Sequence, residues 1–316
     1  MTDAPEYADP DRYIELAGFT GEWRDLFWNH DFLSLMARRW RLAEVRDALD
    51  VGCGAGHWGR ALIRHLPAAA RVTGVDLEVR FCELARHEAA ARGLDERLDY
   101  LQGGVEALPF PADSFDLVTC QTLLIHVADV EAALTEMIRV TRPGGLVALA
   151  EPDNRAGNLA LLNQSPRLRA EDVAELLCTQ LVCERGKQRL GEGDDSIGGR
   201  LPGIVRQLGL RDVRAHVNDR CIELAPPYDA PAMRVALAQE RAWAAEDITT
   251  LLGTHHDARR RYLAGGGDQA GFARGWAAAL RWLRAFERDV DAGRYYAARG
   301  YVMYLVSGRK PEASAT

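Results

Sequence analysis

Residues 48–62 read Ala-Leu-Asp-Val-Gly-Cys-Gly-Ala-Gly-His-Trp-Gly-Arg-Ala-Leu. A short strand-like run, Ala48 to Val51, meets glycines on alternate positions at Gly52, Gly54 and Gly56, and a helical pattern begins at His57. Strand, glycine turn and helix in this order form a ligand crevice at the carboxyl edge of an open α/β sheet. Glycine permits positive φ and lets a ligand approach the main chain without a Cβ in the way. The helix that follows offers free N–H groups and a partial positive charge.

The glycines leave the ligand open. Gly54, Gly56 and Gly59 spell G-x-G-x-x-G, and Asp76 follows about twenty residues on, as a dinucleotide site requires. Val72 to Leu77 reads as a second strand that ends in a carboxylate, able to accept from both hydroxyls of a ribose, with an apolar neighbour for a purine face. Further on come Glu-Ala-Leu-Pro-Phe at 106–110, Asp-Ser-Phe-Asp-Leu-Val at 113–118 and Arg-Val-Thr-Arg-Pro-Gly-Gly at 139–145.

With these blocks in place, residues 45–152 resemble the class I S-adenosylmethionine-dependent methyltransferases, and among them the ubiquinone/menaquinone-biosynthesis type. The ordered set Asp-Val-Gly-Cys-Gly-Ala-Gly, Gly-Val-Asp-Leu, Leu-Pro-Phe…Ser-Phe-Asp and Arg-Pro-Gly-Gly carries the resemblance, and a dehydrogenase is not expected to show the last two. The resemblance implies S-adenosyl-L-methionine as cofactor. Gly52, Gly54 and Gly56 would pass under its methionine part, and Asp50 would be a further cofactor-binding residue. Asp76 would hold the ribose hydroxyls and Leu77 would pack on adenine. Val105, through its backbone N–H, and Glu106 would border the adenine edge, and Gln121 would lie near the amino-acid end. One departure stands out: relatives commonly carry Asp where this chain has Gly104, and that Asp takes the adenine amino group. Trp58 is expected either to pack its helix or to wall the site.

The pattern over 47–151 alternates strand and helix with short connections, which requires a parallel sheet. Strands are expected near 47–51, 71–76, 98–102, 116–121 and 146–151, with helices near 57–66, 78–92 and 130–141, and Pro143-Gly144-Gly145 turning into the fifth strand. A helix at 171–189 interrupts the pattern, then a helix at 197–208 and a sixth strand from 210 to 217 with a tail to 224. Tyr301 to Ser307 is a late strand, which relatives place antiparallel between the fifth and sixth. The fold expected is therefore α/β: a Rossmann-like, seven-stranded, mostly parallel doubly wound sheet with helical cap insertions. The divisions are an N-terminal helical cap over 1–46, a core over 47–224 and 299–310 with a helical insertion near 155–195, and a helical lid over 225–298. Lys310 to Thr316 reads as a tail.

Methyl transfer is an in-line displacement on an already activated carbon, so the protein has mainly to position the partners and exclude water. An acceptor that must lose a proton needs a base. His126, Glu151 and Asp153, just past the fourth and fifth strands, are the candidates, with Tyr13, Arg200, Tyr295 and Tyr296 of the cap behind them. The acceptor expected is a small molecule methylated on oxygen, nitrogen or carbon. A cofactor-binding module without turnover and a methyltransferase acting on protein side chains stand as alternatives. Trp243, Trp276, Trp282 and Phe286 either shield the reaction or form the cap's own core. Ala-Pro-Pro-Tyr228 follows the wrong strand for an amino-methyltransferase motif and reads as a turn. No metal is expected, since His255 and His256 are adjacent on a helix and point apart.

The 316 residues are 47% hydrophobic and 27% charged, ordinary for a globular chain. A net charge of −7 argues against nucleic acid as the partner, and Arg38-Arg39-Trp40-Arg41 reads as a solvated helix face. No apolar run reaches the ~18–20 residues that span a bilayer, so no membrane partner is expected, and the acidic N-terminus lacks a signal peptide's apolar region. Six cysteines without C-x-x-C spacing read as small buried side chains, and a cytoplasmic location follows as the expectation. The oligomeric state is open, a homodimer being one possibility.

Overall fold

The computed structural model describes residues 22–163 and 168–312. The first part of the cap expected over 1–46, residues 1–21 with the candidate Tyr13, and residues 313–316 lie outside the described residues. The chain forms two compact units. The first is a sheet unit of Trp28–Asp153, Asp195–Asp219 and the residues from Val302, and the second is a helical unit of the described residues up to Phe27, Asn154–Asp194 and Arg220–Tyr301.

The sheet unit opens with α1 (His30–Trp40), capped by the Asn29 side chain on Asp31 N. Its basic run is exposed except for Trp40, which is buried. Residues 28–46, expected in a separate N-terminal cap, thus pack with the sheet. Then follow β1 (Asp47–Val51), α2 (His57–Ile63), β2 (Arg71–Asp76), α3 (Val79–Ala90), β3 (Leu98–Gln102), β4 (Phe115–Gln121), α4 (Val130–Val140) and β5 (Thr141–Pro152). Asp129 caps α4 through Ala132 N at 2.9 Å. Ala133, Leu134, Met137 and Val140 recur at helical spacing and are buried, against a core that includes Leu49, Val118, Val147 and Leu149. Each such large apolar side chain contributes about 1.5–3 kcal/mol. β5 starts earlier than expected: Arg-Pro-Gly-Gly lies inside the strand, with a register shift opposite Phe115 and Leu117 and Gly144 at φ +73°.

β1 to β5 pair in parallel in the order β3-β2-β1-β4-β5. The helical unit begins with α5 (Asn154–Asn163) and α6 (Ala170–Arg189), and the sheet unit resumes with α7 (Leu201–Gln207) and β6 (Arg211–Val217). The sixth strand stops at Val217. Residues 222–224, expected as its tail, form β7 (Ile222–Leu224), which pairs with β8 (Ala297–Arg299) in the helical unit. α8 (Pro231–Ala245), α9 (His255–Ala264) and α10 (Gln269–Asp291) complete that unit. Leu176, Phe272, Trp276 and Trp282 share one of its buried clusters. Phe286 and Trp23 share another, with half-buried Trp243 packed against it, so these aromatic residues pack within the unit's own core. β9 (Met303–Arg309) returns to the large sheet, antiparallel to both β5 and β6 and inserted between them. Lys310 is no tail: its N–H donates to Gly145 O and its Nζ to Asp113 Oδ1 at 2.7 Å. Among the described residues no helix is long and apolar enough to cross a membrane.

Candidate active site

The turn after β1 visits the left-handed region at each alternate glycine, with φ of +65° at Gly52, +49° at Gly54 and +78° at Gly56. The protein itself enforces two of these positions. A Cβ on Gly52 would stand 2.5 Å from Leu123 Cδ1, and one on Gly56 would stand 2.5 Å from the Tyr100 hydroxyl. Gly59, the last glycine of the dinucleotide-like string, lies within α2, where a Cβ would come 3.3 Å from Asp50 Oδ2. Asp50 is buried below the turn. Its Oδ2 accepts the Gly59 N–H at 3.0 Å, which serves the open start of α2. Its Oδ1 has no hydrogen-bond partner among the described residues.

Asp76 ends β2 beside the turn. Its Oδ2 accepts Gly54 N–H at 2.8 Å and its Oδ1 accepts Glu78 N–H at 3.0 Å. A carboxylate has about four lone-pair sites, so acceptor capacity is left for a ligand. Leu77 is 66% exposed, an apolar side chain turned to solvent at the rim, and its carbonyl is held by Gln102 Nε2 at 2.9 Å. Past β3, Val105 packs against the core and Glu106 is exposed. Turn, carboxylate and apolar rim fit a nucleoside joined to an amino-acid chain. Gly104 sits in open space, the nearest atom to an added Cβ being Leu77 Cδ1 at 3.8 Å. Gly104→Asp should therefore fold normally and strengthen S-adenosylmethionine binding by about 0.5–1.5 kcal/mol, the worth of one added hydrogen bond. Calorimetry decides it, and weaker binding would show that adenine does not pass this point.

At the end of β4, Gln121 Oε1 accepts from Trp28 Nε1 at 3.4 Å. Trp28 lies 4.6 Å, ring to ring, from Trp58, whose Nε1 donates to Thr119 Oγ1 at 2.9 Å. Trp58 is thus a fixed, buried packing residue. His126 is exposed on the 3₁₀ turn Leu124–His126, and Asp153 is half-buried at the exit of β5, its N–H donating to Val302 O. Glu151 is not placed as a base would be. It is 0% exposed, and its Oε1 accepts the N–H groups of Leu123 at 2.9 Å and Leu124 at 3.0 Å. In the helical unit, Tyr295 is buried and its backbone is tied to the Tyr228 hydroxyl, while Tyr296 is exposed; Arg200, expected in the cap, is exposed in the sheet unit. His255 packs edge-on against Phe272 and Trp276. Trp28, Tyr100 and Leu123 carry no signal of their own in the sequence, where each is one apolar residue among many.

Burial pushes both deep carboxyls upward, Asp50 to about 8 and Glu151 to about 7. In the unfolded chain they ionise near pH 4. The unfolded state thus loses these protons first as pH rises, and the two groups make stability fall between about pH 4 and pH 8. The slope approaches ~1.4 kcal/mol per pH unit for each group. Urea unfolding across that range should show a shallower fall in Asp50→Asn and Glu151→Gln than in the wild type. Equal slopes in all three proteins would contradict it.

The sheet order separates the two ligand readings. Dinucleotide folds run 3-2-1-4-5-6, whereas here antiparallel β9 stands between β5 and β6. Residues 49–149 match the family model described as a methyltransferase domain. The demethylmenaquinone methyltransferase of Geobacillus stearothermophilus is 35% identical over 128 residues, which is 40% of this chain and 53% of the relative. The uncharacterized methyltransferase YcgJ of Bacillus subtilis is 34% identical over 126 residues, 40% of this chain and 48% of that one. The chain thus spans about half the length of the curated relatives it matches. Among solved structures, a candidate sarcosine dimethylglycine methyltransferase from Galdieria sulphuraria superposes with a TM-score of 0.55 at 14% identity, covering 96% of this chain and 98% of that one. Phosphoethanolamine N-methyltransferase 2 of Haemonchus contortus, with S-adenosylhomocysteine bound, superposes at 0.51 and 15% identity, covering 96% and 58%. Residues 49–149 are thus matched in sequence as a methyltransferase domain, and the chain shares its fold with these solved methyltransferases.

Proposed function

We propose that the protein is an S-adenosylmethionine-dependent methyltransferase acting on an oxygen, nitrogen or carbon atom of a small-molecule acceptor. The observation that carries this reading is the cradle: three left-handed glycines, with the Asp76 carboxylate 2.8 Å from Gly54 N and Leu77 open beside it. Gly52, Gly54 and Gly56 would lie under the methionine part. Asp76 would accept from the ribose hydroxyls, Leu77 would cover adenine, Val105 and Glu106 would border its edge, and Gln121 would meet the amino-acid end. The cofactor supplies a methyl group made electrophilic by a positive sulfur. The protein's share is alignment, which supplies roughly 7–11 kcal/mol in well-oriented systems, and the exclusion of water.

Chain connectivity supports an acceptor site at the carboxyl edge of the sheet, where open α/β sheets take their ligands. The chain crosses between the units at 27/28, 153/154, 194/195, 219/220 and 301/302. Sheet-unit residues beside four of these crossings lie at that edge: Trp28 on Gln121, Asp153 on Val302, and Asn218 on Met303. His126 and Asp153 are the groups there that would take a proton from an acceptor, in place of Glu151. Calorimetry with S-adenosylmethionine and with NAD tests the reading, followed by transfer of a labelled methyl across an acceptor panel. Binding of the sulfonium compound is expected, and binding of NAD with silence toward the sulfonium would overturn it. The absent acid at Gly104 favours a second reading, a binding module without turnover, which cofactor uptake with no transfer to any acceptor would support.

A further inference from the structure

We infer that Glu151 is a positioning residue for the cofactor cradle, acting through Leu123 on Gly52. The inference rests on the cofactor reading above. Glu151 ends the apolar run of β5, fully buried, a place where an acid is costly unless it is hydrogen-bonded. Its Oε1 gathers three donors: Leu123 N at 2.9 Å and Leu124 N at 3.0 Å from the connection after β4, and Cys120 Sγ at 3.4 Å from β4 itself. Two adjacent N–H groups aimed inward need one shared acceptor, and no apolar side chain supplies it.

The segment so held is strained. Thr122, a β-branched residue, sits at φ +56°, a conformation that persists only where its surroundings over-determine it. Thr122 N–H donates to Ala150 O on one side, and the Glu151 carboxylate fixes the next two residues on the other. The consequence reaches the cradle through Leu123, whose Cδ1 lies 2.5 Å, and whose Cγ lies 3.0 Å, from where a Cβ on Gly52 would be. Leu123 thus seats directly on the first glycine of the turn. Carboxylate, strained connection, leucine and glycine turn form one continuous line of contact. The acid at the end of β5 sets the shape of the loop after β1, which neither touches in sequence.

The test is calorimetric binding of S-adenosylmethionine to the full chain as wild type, Glu151→Gln, Glu151→Ala, Leu123→Ala and the double alanine variant, with KM and kcat where transfer is measured. Glu151→Ala and Leu123→Ala should each weaken binding about 10-fold or more. Glu151→Gln, which keeps a carbonyl acceptor, should restore most of that affinity. The double variant should be no weaker than the poorer single one, because both act on one line of contact. KM for the cofactor should rise more than kcat falls. Wild-type affinity in Glu151→Ala or in Leu123→Ala, additive losses in the double variant, or a glutamine variant as weak as the alanine one would each overturn the inference. Should Glu151→Ala not fold, Leu123→Ala and Glu151→Gln still decide it. A wild type that binds no S-adenosylmethionine would instead remove the cofactor reading itself.

Discussion

Asp76→Ala should lose at least about 100-fold in S-adenosylmethionine affinity. Hydrogen bonds to a charged group contribute about 1.5–3 kcal/mol each, and a ribose offers two hydroxyls to this carboxylate. The structure adds a second loss. Asp76 Oδ2 accepts the Gly54 N–H at 2.8 Å, so the alanine variant releases the middle of the glycine turn as well as the sugar. Asp76→Asn separates the two effects. Its amide keeps one carbonyl oxygen for Gly54 but gives up the negative charge, and its affinity should fall between those of the wild type and the alanine variant. Calorimetry reads the affinity, and a thermal midpoint without cofactor reads the turn. Unchanged affinity in Asp76→Ala would place the sugar elsewhere and end the assignment of this strand end.

Gly54→Val should abolish measurable cofactor binding. Gly54 sits at φ +49°, and a β-branched residue there is a steric outlier. The valine would either distort the turn or set two methyl groups where the ligand must meet bare main chain. Backbone strain alone must be told apart from a blocked site. Gly93 provides the comparison: its φ is +65°, and nothing lies within 4 Å of an added Cβ. Gly93→Ala should lower stability by about 1–2 kcal/mol, the cost of a left-handed non-glycine residue, and leave cofactor affinity unchanged. If both variants bind equally well, the ligand does not approach the turn at Gly54.

The sheet was legible because its signals are local. Val72 to Asp76, Leu98 to Gln102 and the glycine turn each carry their own periodicity or punctuation, and they form where expected. The errors fall where pairing partners are remote in sequence. Residues 222–224 read as a continuation of β6, since nothing nearby reveals that Ala297–Arg299 claims them. Lys310 read as a tail because its partners, Gly145 and Asp113, lie far back in the chain. The site follows the same division. Gly52, Gly54, Gly56 and Asp76 announce themselves by type and spacing. Glu151 reads as an acid at a strand end, but the two N–H groups that occupy it come from a connection whose left-handed Thr122 no residue preference foretells. Trp28 shows its meaning only beside Gln121 and Trp58.

The position of β9 bears on how the molecule is made. A strand drawn from residues 303–309 fills the gap between 141–152 and 211–217, so β6 has no neighbour in the sheet until β9 arrives. During synthesis the five parallel strands can assemble early, while β5 waits with an edge of unpaired N–H and C=O groups and β6 stays unattached. The last strand acts as a keystone, and a nascent chain halted before it would expose the seam most prone to pair with a stranger.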